Sequence, residues 1–339
     1  MTNITQMARK VPSLYWWLLA LVVAILLPLP VNVYYQRVLW TVGIYLLLGL
    51  SLNIIVGYAG LFQLGHAAFY ALGGYTAAIL NLQYHVPIFL CLPAGIVVAG
   101  VAGFLICRPI LHLRGDYLCI ITIAFGEIVR LVLVNNPGGV TGGSNGLFGL
   151  DFPTIFGFTF STVLQHYYLV LFFVVLTFLA MQRLENSRLG RAWMYVREDE
   201  LAAEAMGVDV VWVKTIAFVL GSAWAGLAGV LYATSLGGIS PDMGNFLTSV
   251  TIFCIVVLGG AGSLPGMLVG TIGMVVLPEA FRFVDNWRDG FVGLAMVLMM
   301  IFRPAGLLPS RRIAIELLSG ESETETPPSE IELEGLKPA

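Results

Sequence analysis

The sequence predicts an all-α integral membrane protein: a polytopic helical bundle of about 8–10 transmembrane helices, with inverted repeats and broken helices. Three observations predict it. Charged residues make up 11% of the chain, where a soluble domain carries about 25%. Those charges are grouped: of 37 Lys, Arg, Asp and Glu residues, 11 lie between Arg183 and Lys214 and 8 lie beyond Ile315. The rest is a succession of apolar runs, several close to the roughly 20 residues that a helix needs to cross hydrocarbon. Hydrocarbon offers no partner to backbone N–H and C=O groups, so such runs fold as helices and not as open sheet.

The runs fall near 14–30, 38–56, 67–82, 88–107, 117–134, 166–182, 214–234, 248–260, 263–281 and 290–302. The first follows Arg9 and Lys10; it is longer than a signal-peptide core and no A-x-A site follows, so a retained helix is expected. Lys and Arg in short loops mark the cytoplasmic side. Arg9 and Lys10 place the N-terminus there, Arg108 and Arg114 the 108–116 loop, Arg183, Arg188, Arg191 and Arg197 the 183–213 loop, and Arg303, Arg311 and Arg312 the C-terminus. The 135–165 and 235–247 segments carry only Asp151 and Asp242 and belong outside. Ten crossings satisfy every assignment; eight with a re-entrant pair do so as well. The organisation expected is a cytoplasmic N-terminus over 1–13, a membrane domain over 14–309 and a cytoplasmic tail over 310–339. Seven glutamates and Pro, Ser and Thr dominate that tail, a composition that buries no core.

Two uncharged, glycine-rich segments interrupt the apolar pattern. One is Gly57–Tyr58–Ala59–Gly60–Leu61–Phe62–Gln63–Leu64–Gly65–His66, the other Gly259–Gly260–Ala261–Gly262–Ser263–Leu264–Pro265–Gly266. Glycine costs about 1 kcal/mol per helix position relative to alanine, so such clusters mark breaks. Interrupted spans in corresponding halves point to a site at a repeat interface. A second reading is that these glycines only let helices pack closely.

The 183–213 loop is the densest charged patch. Within it, 198–207 reads as one short amphipathic helix. Its acids Glu198, Asp199, Glu200 and Glu204 cluster toward the N-terminal end, and Gly207 closes it. A short cytoplasmic helix between spans is a means of docking a soluble partner; a solvated loop is the plain alternative. Inside the apolar runs, Glu127 stands three residues before Arg130 on one helix face. Intramembrane charge reads as functional, and snorkelling to the interface competes with that. The outer stretch 135–146, containing Thr141, Gly143 and Asn145, is either a turn or a set of backbone donors suited to a polar solute.

Several classes of chemistry find no support. The histidines His66, His85, His112 and His166 are scattered and lack metal-ligand spacing. Cys91, Cys107, Cys119 and Cys254 form no CxxC pair and read as small buried hydrophobes. No lysine follows a glycine, so a P-loop is missing from this chain. Nothing points to nucleic acid.

These motifs together resemble one family. Arg114–Gly115–Asp116–Tyr117–Leu118, Phe125–Gly126–Glu127–Ile128–Val129–Arg130, Thr141–Gly142–Gly143–Ser144–Asn145–Gly146, Ser187–Arg188–Leu189–Gly190–Arg191–Ala192–Trp193, Arg197–Glu198–Asp199–Glu200, Val257–Leu258–Gly259–Gly260–Ala261–Gly262–Ser263 and Phe302–Arg303–Pro304–Ala305–Gly306–Leu307–Leu308 look like the LivM-type permease subunit of branched-chain amino acid ABC importers. The resemblance runs from about residue 38 to 309. It implies a subunit of the bacterial inner membrane without enzymatic activity or a cofactor of its own. The partners implied are a sister permease subunit, two cytoplasmic ATPases that use ATP, and a periplasmic binding protein.

The resemblance also implies that the 187–207 segment, with Arg188, Gly190, Arg191, Glu198, Asp199, Glu200, Glu204 and Gly207, is the ATPase-coupling region. Related importers centre this loop on Glu-Ala-Ala before a glycine; Glu204–Ala205–Met206–Gly207 keeps only part of it. The expected translocation path comprises Gly57, Gly60, Gly65, His66, Glu127, Thr141, Gly143, Asn145, Gly259, Gly260 and Gly262. Two other functions compete. An ion-coupled secondary transporter would need mid-span acids, and the acids within the runs, Glu127 and Glu279, read as lying toward outer helix ends beside Arg130 and Arg282. A permease for urea or short amides fits the amino-acid-type motifs less well.

Overall fold

The computed structural model describes residues 21–110, 115–155 and 158–280, with scattered positions between 290 and 308. The expected N-terminal segment 1–13 and acidic tail 310–339 lie outside the described residues, as do Arg114 and Arg311. Among the described residues the main α-helices are α1 (Val33–Leu52), α2 (His66–Tyr84), α3 (Ile88–Ile110), α4 (Asp116–Asn135), α5 (Val163–Glu185), α6 (Arg188–Glu198), α7 (Glu200–Ala205), α8 (Val210–Leu236), α9 (Phe246–Gly259) and α10 (Leu264–Ala280). A π-helical turn, Asn53–Tyr58, prolongs α1. Five of these helices are long and apolar enough to cross a bilayer, α1 with its π turn, α3, α4, α5 and α8; α9 and α10 are shorter apolar helices. The strands are two-residue ladders, Leu147–Phe148 against Gly238–Ile239 and Thr154–Ile155 against Phe158–Thr159. The chain is thus an all-α polytopic membrane protein.

Local sequence sets the helix starts. Thr162 and Gln165 form a reciprocal capping box at α5. Ser187 caps α6, Asp199 caps α7, Asp209 caps α8 and Asn245 caps α9, each accepting from a backbone N–H of the first turn. The sequence reading of one helix over 198–207 is corrected here. Asp199 adopts an extended backbone, α6 ends at Glu198 and α7 begins at Glu200. The Asp199 carboxylate prefers capping the N–H groups of Leu201 (2.9 Å) and Ala202 (3.1 Å) to continuing the helix.

In lipid, apolar surface gains little by leaving acyl chains for another helix, so close approach and hydrogen bonds hold the bundle. α2 and α8 touch through glycines: a Cβ on Gly73 would overlap Gly226, and one on Gly229 would overlap the Tyr70 carbonyl. Trp40 Nε1 donates to Ser235 Oγ at 3.2 Å and Trp224 Nε1 to Thr177 Oγ1 at 3.0 Å. α1 and α8 are central, and Leu47, Leu48, Ile54, Ile55 and Phe218 are fully buried there. α4 lies at the edge and exposes Tyr117, Ile120, Ile128 and Leu131.

The helix ends sort into two layers. Tyr58 at the end of α1 meets Glu185 at the end of α5, and Trp193 of α6 donates to the Val213 carbonyl at the start of α8. This layer holds Arg188, Arg191 and Arg197 and is the end that the sequence assigns to the cytoplasm. At the other end Asn81 bonds Asp151, and the N–H groups of Gly149 and Leu150 donate to the Gly237 carbonyl.

Candidate functional site

Both predicted breaks are real, and they meet. After the π turn the chain leaves helical geometry at Gly60 (φ +70°) and stays non-helical to Gly65 before α2 begins. α9 stops at Gly259, turns through Gly260 and Gly262 (φ +103° and +85°), and resumes as α10. Asn53 Oδ1 accepts from the Gly262 N–H at 2.8 Å, a bond between the two breaks. Gly57 faces the same point, where a Cβ would overlap Asn53 Oδ1 and stand 2.6 Å from Gly262 N. Gly259 is packed onto the Gly266 carbonyl. The N–H groups of Leu307 and Leu308 donate to the carbonyls of Leu258 (2.9 Å) and Gly259 (3.2 Å), completing the end of α9.

Helix α6 locks onto this junction. Arg197, near the end of α6, donates from Nη1 to the Gly57 carbonyl. Its stem covers Gly60, where a Cβ would lie 2.8 Å from Arg197 Cγ, and its Nη1 would lie 3.4 Å from a Cβ on Gly262. Trp193, fully buried, stacks on Tyr58 with ring centroids 6.5 Å apart and 5° between planes. One helix therefore grips both breaks.

The predicted coupling residues divide by role. Gly190 is buried against the Leu184 carbonyl, Asp199 is a cap, and Gly207 (φ +83°) closes α7 by donating to Glu204. Glu200 pairs with the nearly buried Lys214 at 2.5 Å, tying α7 to α8. Arg188, Arg191, Glu198 and Glu204 are exposed, beside the exposed apolar side chains of Tyr195, Leu201 and Met206.

The other end of the first break lies deep in the bundle. His66 Nε2 pairs with Ser51 Oγ at 2.7 Å. A Cβ on Gly221 would stand 3.0 Å from the Ser51 carbonyl oxygen, and Gly221 is eleven residues into the 27-residue α8, roughly 16 Å along its axis. α9 also starts at depth: Ser249 in its first turn accepts from the Ala67 N–H of α2 at 3.0 Å. From this bond α2 runs to the outer layer and α9 to the inner layer. Gly65 packs directly on the Thr122 carbonyl of α4, and Leu64 N donates to Thr122 Oγ1 at 3.2 Å.

Two helices, α2 and α9, thus start inside the bundle, and α6 clamps the broken ends beside them. Residues 34–301 match the family model described as "Branched-chain amino acid transport system / permease component". The chain belongs to this permease family. It is 41% identical over 305 residues to the high-affinity branched-chain amino acid transport system permease protein LivM of Salmonella typhimurium and to that of Escherichia coli, covering 83% of this chain and 72% of each relative. A probable LivM of Methanocaldococcus jannaschii is 28% identical over 324 residues, covering 80% and 92%. The permease protein LivH of Escherichia coli is 28% identical over 285 residues, covering 78% and 91%. No solved structure matches.

The remaining predicted path residues sit elsewhere in the permease. Glu127 and Arg130 pair with each other at 3.0 Å, both partly exposed on α4; a Cβ on neighbouring Gly126 would stand 3.6 Å from Gly65 Cα. Thr141, Gly143 and Asn145 belong to the outer layer. Asn136 Oδ1 accepts from the N–H groups of Thr141 (2.8 Å) and Gly142 (3.1 Å), so this stretch is a fixed turn. The structure does not join it to the glycine junction. Sequence reading overlooked Asn53, Gln63, Ser249 and the clamping role of Arg197. Arg197 was visible in a family motif, but its partner is 140 residues away. A polar Asn53 inside an apolar run was the available signal for the first of these.

Proposed function

We propose that this chain is the membrane-spanning permease subunit of an ATP-driven importer, carrying branched-chain or other hydrophobic amino acids across the bacterial inner membrane. It works as a heterodimer with a sister permease, takes solute from a periplasmic binding protein, and is driven by two cytoplasmic ABC ATPases. It has no catalytic step of its own, and ATP is used by those partners. The 14–309 region is the permease domain and the 183–213 loop its coupling element.

The observation that carries this reading is the clamp of α6 on both helix breaks. The exposed charges of Arg188, Arg191, Glu198 and Glu204, with Leu201 and Met206, present the surface on which an ATPase docks. Movement of α6 pulls Arg197 against the Gly57 carbonyl and shifts the junction at Gly57, Gly60, Gly259, Gly260 and Gly262. Opening that junction frees the inner end of the path, and Gly65 and His66 lie above it. Broken helices suit this task because freed backbone groups line a path without fixed charge.

Reconstitution tests the reading. The complete complex in proteoliposomes takes up leucine when ATP and the binding protein are present, and continues in the presence of a protonophore. Uptake that collapses with the ion gradient while ATP persists overturns it, and urea uptake without leucine uptake reassigns the solute.

A further inference from the structure

We propose that the place where the N-termini of α2 and α9 meet is the mid-membrane seat of the solute, with Gln63 and His66 as its direct polar partners. The ligand class is a small zwitterion with an apolar side chain. The proposal rests on the importer reading above and assigns the residues that touch the solute.

The primary observation is an imbalance of hydrogen bonds. Gln63 is fully buried, yet neither Nε2 nor Oε1 has a partner, and the buried His66 Nδ1 has none. Buried polar atoms are nearly always paired, and an orphan calls for a specific explanation. The neighbouring hydroxyls are already engaged: Ser51 with His66 Nε2, Thr122 with Leu64 N, and Ser249 with Ala67 N. The unused capacity therefore falls on Gln63 and on the open side of His66. Gln63 stands on the non-helical stretch between the π turn and α2, three residues before His66 opens α2.

Helix direction supplies the second observation. α2 and α9 both begin here and run apart, so two positive helix ends converge. That arrangement favours a carboxylate. One glutamine amide can donate to the carboxylate and accept from the ammonium, and it carries no net charge to trap the solute. Aromatic rings stand beside these groups: Phe62 against Phe253 at 4.9 Å, and Phe69 against Phe125 at 5.4 Å and His66 at 6.2 Å. They offer an apolar surface for an aliphatic side chain.

The test is Gln63→Leu in the complete reconstituted complex, reading ATP-driven leucine uptake and thermal stability in parallel. Losing a hydrogen bond to a charged group of the solute lowers uptake by about tenfold or more. Removing an unpaired buried amide leaves the melting temperature unchanged or higher, and the ATPases stay bound. That opposition of signs is the result expected. Unchanged uptake overturns the proposal. A fall in both uptake and melting temperature, with ATPases lost, also overturns it, because the amide then makes a structural bond. Gln63→Met, closer to glutamine in shape, must repeat the same opposition. Failure of the wild-type complex to import leucine with ATP is a separate result and removes the importer reading itself.

Discussion

Replacing Gly57 by alanine tests the junction most directly. The added methyl overlaps Asn53 Oδ1 and stands 2.6 Å from Gly262 N, so the Asn53 side chain must move. Its bond to the Gly262 N–H, 2.8 Å and buried, is then lost. Stranding a buried donor costs about 1–3 kcal/mol, and forcing a methyl into a filled space costs about 1–3 kcal/mol. Alanine returns about 1 kcal/mol of helix propensity. The joined state is weakened by about 1–5 kcal/mol, a shift of roughly fivefold to more than a thousandfold in its population. The assay is leucine uptake by the reconstituted complex, with thermal stability and ATPase co-purification measured on the same preparation. Gly100→Ala is the comparison, since its methyl makes only an ordinary contact, 3.4 Å from Ala223 Cβ. We expect Gly57→Ala to lose at least about tenfold in uptake while Gly100→Ala stays close to wild type. Wild-type uptake and stability in Gly57→Ala would refute the reasoning. Loss of assembly before loss of transport would favour glycines that serve packing alone.

Three further outcomes follow from the same geometry. Arg197→Gln removes a charged donor from the Gly57 carbonyl, a bond worth about 1.5–3 kcal/mol; ATP hydrolysis should persist while leucine imported per ATP falls, and an unchanged ratio would free α6 from the coupling role. Glu204→Lys changes an exposed charge on α7 without touching the Glu200–Lys214 pair; ATPase co-purification should drop with the melting temperature of the permease constant, and full retention of the ATPases moves the docking surface elsewhere. Cysteine labelling in intact cells, with the native cysteines replaced, should reach positions 145 and 242 but not 108 or 191, and labelling at 191 alone would invert the topology.

Some features were legible because they are statements about composition. Apolar runs over 88–107, 117–134 and 214–234 became α3, α4 and α8 with ends shifted by a few residues. Gly207 announced the end of α7 by residue type. The glycine clusters announced breaks because glycine is costly within a helix and readily takes the positive φ found at Gly60 and Gly262. The Glu198–Gly207 helix was placed in the right segment but begun too early, since the pull of the Asp199 side chain on the following N–H groups leaves no trace in periodicity. The outer turn 135–146 read equally as a loop or a solute site, because the Asn136 bonds that fix it depend on how the chain folds back on itself.

By itself, then, the sequence determined what each segment is: apolar span, short charged helix or break. Those properties depend on solvent and on neighbours within one or two turns. Only the tertiary structure decided what meets what. Gly57 and Gly262 are 205 positions apart, Arg197 and Gly57 140 apart, and Ala67 and Ser249 182 apart. Each contact is one hydrogen bond or one missing methyl, too small a signal to stand out in a hydropathy pattern. The unpaired amide of Gln63 is likewise invisible until every neighbouring donor and acceptor has been assigned its partner. The permease was readable from its segments, whereas the junction of the two breaks and the proposed solute seat arise only where distant parts of the chain close on one another.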